Sequence, residues 1–169
     1  MKRFSSYFAI SSGLILIFGS IGFLLFSLFH AEPAPAALPM QLAGNSLYRH
    51  STGPQAASEI ERLHGNQFPI ISAASGIYGS ESQINLWVSG FSNEKKAAII
   101  LNSMKKQIGI GKSPFTPVNE RKEGKRFIYE VEGMGKKHFY FQSKNLVIWL
   151  AVGEPMAEQA LTQTLSFFP

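Results

Sequence analysis

The chain has no cysteine. That excludes disulfides, thiolate metal sites, a cysteine nucleophile, an acylated lipoprotein cysteine and covalently attached c-type haem. A cysteine-free domain must hold together by packing alone, which 169 residues permit. Several signatures are also missing: a G-x-S-x-G elbow, a P-loop, a dinucleotide-binding glycine fingerprint, H-E-x-x-H and an EF-hand loop. No spacing forces catalytic groups together, so an accessory, non-enzymatic role without cofactor or metal is expected.

Charge is absent from a long N-terminal run, "FSSYFAISSGLILIFGSIGFLLFSLF", Phe4 to Phe29. It exceeds the roughly 7–15 residues of a signal-peptide core and matches the ~20 that span a bilayer. Lys2 and Arg3 precede it and no cation soon follows, which predicts a cytoplasmic N-terminus and an outer C-terminal domain. The competing reading is a cleaved signal, with Ala34-Pro35-Ala36 as the small-residue site; Pro33 and Pro35 crowd that site. The expectation is a single-pass protein of the inner membrane, its domain periplasmic or extracellular.

Within the run, Ser5-Ser6, Ser12-Gly13 and Gly19-Ser20 recur every seven residues, Ser27 extends the row and Gly22 lies beside it. A spacing of seven returns to nearly the same helix face, drifting by ~20° per step. Small side chains let helix backbones approach and serine hydroxyls bond across, benefits that lipid does not supply. The stripe points to other transmembrane subunits or to self-association. Chance is the competing account, because Gly and Ser are common in spanning helices.

Three segments follow: an anchor over 1–30, a Pro/Ala-rich linker over 31–45 with Pro33, Pro35 and Pro39, and an outer domain over 46–169. In the domain, "STGPQAASEIERLHG" predicts a helix with Thr52 as N-cap and Gly65 at its end. "FPIISAASGIYGSESQINLWVSG" predicts two strands around a turn near Gly79 to Ser82. "SNEKKAAIILNSMKKQIGIG" predicts a helix capped by Ser92, with Ala97, Ile100, Leu101, Met104 and Ile108 on one face. Up to four strands follow, ending in the doubly apolar "LVIWLAV". A last helix carries the stripe Ala157, Ala160, Leu161, Thr164, Leu165 and Phe168. The fold class is α+β: an antiparallel sheet of five to seven strands packed by about three helices on one face, the other left to water or a partner. "INLWVSG" and "LVIWLAVG" form a faint internal echo, each leading into a helix.

The formal charge is +5, and the excess is local: twelve basic against five acidic residues lie between Glu94 and Lys144. The dibasic pairs Lys95-Lys96, Lys105-Lys106, Arg121-Lys122, Lys125-Arg126 and Lys136-Lys137 are candidate contacts for anionic lipid or an acidic extracytoplasmic protein. A solvated lysine-rich surface is the plainer account. Nucleic acid is not an expected partner. His138 and Tyr140 share a strand face and, with Trp87, could line a polar pocket; an exposed strand face explains the two equally well. His64 suits a helix end, His50 a loop and His30 the membrane edge. Glu59 and Glu61 diverge on their helix, while Glu130 and Glu132 have lysines on neighbouring strands. The alternative to an accessory subunit is therefore an anchored ligand-binding or sensing domain.

Overall fold

The computed structural model describes residues 19–22, 36–64 and 69–169. The chain divides into two units, Met1–Glu32 and Pro33–Pro169. In the first, residues 19–22 are helical and exposed. The rest of the expected anchor, 1–30, lies outside the described residues, and among the described residues no helix is long and apolar enough to cross a membrane.

The second unit is an α+β fold built on one eight-stranded sheet. In chain order its elements are β1 (Gln41–Leu42), β2 (Asn45–Thr52), α1 (Gly53–His64), β3 (Ser72–Tyr78), β4 (Ile84–Gly90), α2 (Glu94–Gly109), β5 (Thr116–Glu123), β6 (Arg126–Gly133), β7 (Lys136–Ser143), β8 (Leu146–Val152) and α3 (Ala157–Phe167). The strand order is β1-β2-β3-β4-β8-β7-β6-β5, antiparallel throughout. Two meanders of four strands therefore meet at the β4–β8 seam. The two echoing segments form that seam, with Ile84 opposite Val152 and Trp87 opposite Trp149.

Residues 36–45, expected as linker, belong to the domain. Ala36 and Leu38 pack on the core, the Tyr78 hydroxyl donates to the Pro39 carbonyl at 2.9 Å, and β1 and β2 begin here. His50 sits in β2 opposite Gly76, not in a loop. The polar sequence "NSLYRHST" hid this strand, because β1 covers it only at Asn45 and Ser46 and a strand left exposed on most positions shows no apolar alternation.

Both faces of the sheet are covered, which corrects the one-sided layering. Ile84, Leu86, Val88, Phe139, Phe141, Ile148, Leu150 and Val152 pack under α3 and Leu42. The alternate residues of the same strands face α1 and α2: Tyr129, Val131, Tyr140 and Val147 pack with Ala97, Leu101 and Ile108 of α2. Ala73 packs with Ala56 and Ile60 of α1. This explains why "LVIWLAV" is apolar at every position. The stripe of α3 is buried as its spacing predicts, and that of α2 is buried at Ala97, Leu101 and Ile108 and half-buried at Ile100 and Met104. The α2 cap is Asn93 rather than Ser92, its Oδ1 accepting from the Lys96 N–H at 2.9 Å. The β6–β7 hairpin turns on Met134 and Gly135, both at left-handed φ (52° and 73°), as a tight two-residue turn requires.

Leu150 is fully buried in the central strand. Leu150→Ala should cost about 2–5 kcal/mol in urea unfolding, whereas Ile99→Ala, on the exposed side of α2, should stay within about 0.5 kcal/mol. Equal effects would contradict this layering.

Candidate functional site: an aromatic row between two helices

The register sets Ser51, Ser75, Trp87, Trp149, Tyr140, Tyr129 and Glu120 opposite one another across the strands from β2 to β5. In the middle of the row Trp149 stacks on Tyr140 (centroids 5.1 Å apart, planes 11°), and Tyr140 stacks on Tyr129 (4.9 Å, 23°). Each end is closed by a charged group. Glu59 of α1 accepts from Ser51 at 2.8 Å and Ser75 at 2.7 Å. Those two hydrogen bonds, Ser75 first, hold the Glu59 carboxyl below the usual carboxylate range. At the other end Lys105 of α2 pairs with Glu120 at 2.7 Å and lies 4.7 Å above the Tyr129 ring.

The expected pocket of Trp87, His138 and Tyr140 is only partly realised. All three face the α1/α2 side, but His138 is 4% exposed and Tyr140 is 2% exposed. They lie neither on an open strand face nor along a polar cavity. Phe115 covers this part of the sheet, its ring 4.7 Å from His138 and 5.0 Å from Trp149. Gly133 makes room for it: a Cβ there would sit 2.5 Å from Phe115 Cδ1. Trp87 and Trp149 are half-buried instead, as are Phe115, Asn85 and Lys136 around them. Phe115 and the role of Trp149 escaped the sequence reading. The parity of "LVIWLAV" could have put Trp149 opposite Leu150's face, but with both faces apolar nothing marked which was which.

His138 is held by two bonds whose donors fix its tautomer. The indole Nε1–H of Trp149 can only donate, so His138 Nδ1 accepts from it at 3.0 Å, and Nε2–H donates to the Gly133 carbonyl at 3.0 Å. Protonating Nδ1 would set donor against donor. Burial pushes the His138 pKa down; the Gly133 bond opposes this and the Lys136 charge adds to it. Lys136 is pinned beside this row, donating to Asn85 Oδ1 at 2.9 Å and the Ser82 carbonyl at 2.5 Å; burial lowers its pKa. His64 Nδ1 lies 2.7 Å from the Ile60 carbonyl, the helix-end contact that its position suggests. Among the described residues no three His, Asp or Glu side chains form a metal-binding group. Two open surface hollows, by the β1–β2 turn and between β1 and α3, are lined by no histidine and no charged side chain.

The dibasic residues do not form one patch. Lys105 pairs with Glu120, Arg121 with Glu123 and Glu158, and Lys137 with Glu130 and Glu154. Arg126 donates to the Leu165 and Phe168 carbonyls at the end of α3, and Lys136 is pinned as above. Lys95, Lys96, Lys106, Lys122 and Lys125 are exposed, Lys122 with its ammonium 5.5 Å from the Phe127 ring centroid. In the small-residue stripe, Gly19, Ser20 and Gly22 are helical and exposed, and a Cβ on either glycine would meet nothing within 4 Å. Ser5, Ser12, Gly13 and Ser27, like His30 and Gly65, lie outside the described residues.

No protein-family model and no curated protein matches the chain. Among solved structures the fold is similar to the crystal structure of the extracellular domain of PknH from Mycobacterium tuberculosis. That likeness covers 78% of each chain at 14% identity, with a TM-score of 0.39. A resemblance this distant carries no functional reading.

The His138 geometry predicts a pH dependence of stability. Its folded pKa lies below the ordinary 6.5, so the unfolded chain takes up the proton first. The stabilisation is therefore complete above about pH 6.5 and lost as pH falls below it, by up to about 1.4 kcal/mol per pH unit. The melting temperature should drop between pH 7.5 and 5.5. His138→Phe should be less stable at pH 7.5 and show a flatter profile. An unchanged slope in that variant would assign the titration elsewhere.

Proposed function

We propose that the chain is a single-pass membrane protein whose outer α+β domain is a non-catalytic interaction module, an accessory or assembly subunit of a bacterial membrane complex. One observation carries this reading: the charge-free run Phe4–Phe29, with cations only before it and a small-residue stripe every seven positions along it. The partners it implies are other transmembrane subunits or a second copy of the chain, and the domain lies outside the cytoplasm. The outer domain supports the reading, because three of its titratable side chains serve the fold: His138 accepts from Trp149, Glu59 ties α1 to β2 and β3, and Glu120 ties β5 to α2.

A second reading has its own observation. Trp87 and Trp149 stand opposite each other on neighbouring strands and are both half-buried. Flat indole surface beside Asn85 and Lys136 suits a small ligand that combines an apolar face with polar groups. On that reading the domain is an anchored binding or sensing module.

The absence of cysteine makes both testable without background. A cysteine at exposed Ser80 should react with a membrane-impermeant maleimide in spheroplasts, and one at Lys2 only after lysis. Replacing Ser12, Gly13 and Gly19 with Leu should abolish co-purification of partner subunits or of tagged second copies from mild detergent. Association that survives the triple change removes the stripe from the mechanism. A lone monomer carrying a bound small molecule would favour the second reading.

A further inference from the structure

The register brings one end of the sheet together from elements far apart in sequence. Glu123 stands opposite Arg126, Ser143 opposite Leu146, and Gly90 opposite both Leu146 and Ser72. The β5–β6 turn, the β7–β8 turn and the start of α2 therefore share this end. Two bonds between Phe91 and Asn145, each 2.9 Å, and one from Gln142 to the Glu94 carbonyl lock the helix start to the β7–β8 turn. Exposed Lys95 and Lys96 come from the helix, Lys122 and Lys125 from the β5–β6 hairpin, and Lys144 from the other turn. Phe127, 45% exposed, sits under Lys122 at the same end, and Ile71, 52% exposed, precedes β3 there. The side-chain carboxylates here are Glu94 at the helix start and Glu123, the latter beside Arg121, and the Pro169 carbonyl oxygen also sits here, accepting from Ser143 at 2.6 Å.

The other end of the sheet differs. Its two cations on β7 are both satisfied internally: Lys136 by Ser82 and Asn85, Lys137 by Glu130 and Glu154. Near the end of α2, Lys106 and Lys112 are exposed as well, so the difference is one of number: five open lysines gather around Phe127 and Ile71 at the first end, against two at the other. Clustered ammonium groups with an aromatic ring and an aliphatic side chain among them match an anionic headgroup layer, where the charges meet phosphates and the apolar groups enter the interface. A protein partner would need shape as well as charge, and flexible exposed lysines supply little of that.

We infer that this lysine end docks on anionic phospholipid headgroups of the membrane that holds the chain. The inference rests on the proposed anchor. From Phe29 to Ala36, the first described residue of the domain, a tether of seven residues reaches at most roughly 25 Å, which keeps a charged surface within range of the headgroups. Docking at that end would fix the tilt of the domain and turn its opposite end, with the Gly79–Ser82 and Met134–Gly135 turns, away from the bilayer.

The test uses the full chain in lipid nanodiscs of phosphatidylcholine alone or with about one-third phosphatidylglycerol. Single cysteines at Ser92 or Ser80, both exposed at opposite ends of the sheet, carry an environment-sensitive fluorophore. The expected result is a blue shift and protection from aqueous quencher at position 92 only, in anionic discs only. The shift should vanish in about 1 M salt, where screening acts over ~3 Å, and in the Lys95→Glu/Lys122→Glu/Lys125→Glu variant. The same three changed to Gln should give an intermediate shift, and unchanged melting temperatures verify that both variants fold. Identical signals in the two lipids, or equal shifts at 92 and 80, overturn the inference. Protection that appears only when other membrane proteins are added also overturns it, in favour of a protein partner. Failure to enter discs of either lipid would instead sink the anchor. Flotation with phosphatidylglycerol vesicles at low and high salt then decides the lysine end separately.

Discussion

The pairing of β4 with β8 is the constraint on which the outer domain depends. Each strand ends one four-stranded meander, and their seam alone joins the two into one sheet. Seven residue pairs in unbroken register, from Ile84–Val152 to Gly90–Leu146, set which side chains face α3 and which face α1 and α2. A slip of one residue would turn Trp149 and Val147 under α3 and push Ile148 and Leu150 against α2. The place of Trp149 in the aromatic row, and with it the bond to His138, follows from that register.

The seam also accounts for the different treatment of the two tryptophans. Trp149 has a stacking neighbour, a hydrogen-bond acceptor and Phe115 beside it. Trp87 packs with the smaller α1 cluster of Ala56, Ile60 and Ala73. One indole is thus fixed by bonds and rings, the other by aliphatic contacts. Both lie between the stretch guarded by Glu59 and that guarded by Lys105.

The α+β class, both long helical stripes and the four strands after α2 were legible in the sequence, because apolar periodicity reports burial directly. Ala97, Leu101 and Ile108, and Ala160, Leu161 and Leu165, are buried as their spacing implies. What escaped was whatever depends on partners distant in the chain. β1 is only two residues long, and β2, paired by β1 only at Asn45 and Ser46, is exposed on most positions, so neither carries an apolar pattern. That α3 takes the second face could not be read from its stripe, which shows that a face is buried but not against what. His138 looked like a residue on an exposed strand because alternation gives parity without saying which parity is inside. The dibasic pairs were visible, but their division into satisfied and open cations required Glu120, Glu130, Glu154 and the end of α3 to be placed beside them.

The early entry of the chain into the sheet has a mechanical consequence. Met40 accepts from Leu47, the Pro39 carbonyl from Tyr78, and Gln163 from the amide of Ala43, so the first described residues of the domain clasp an edge rather than the seam. A pull applied ahead of Ala36 would meet this small clasp and the two-residue β1 before it reached β4 or β8. The opening edge of the domain is thus held by a few single hydrogen bonds, whereas the centre of the sheet is held along a full seven-residue register.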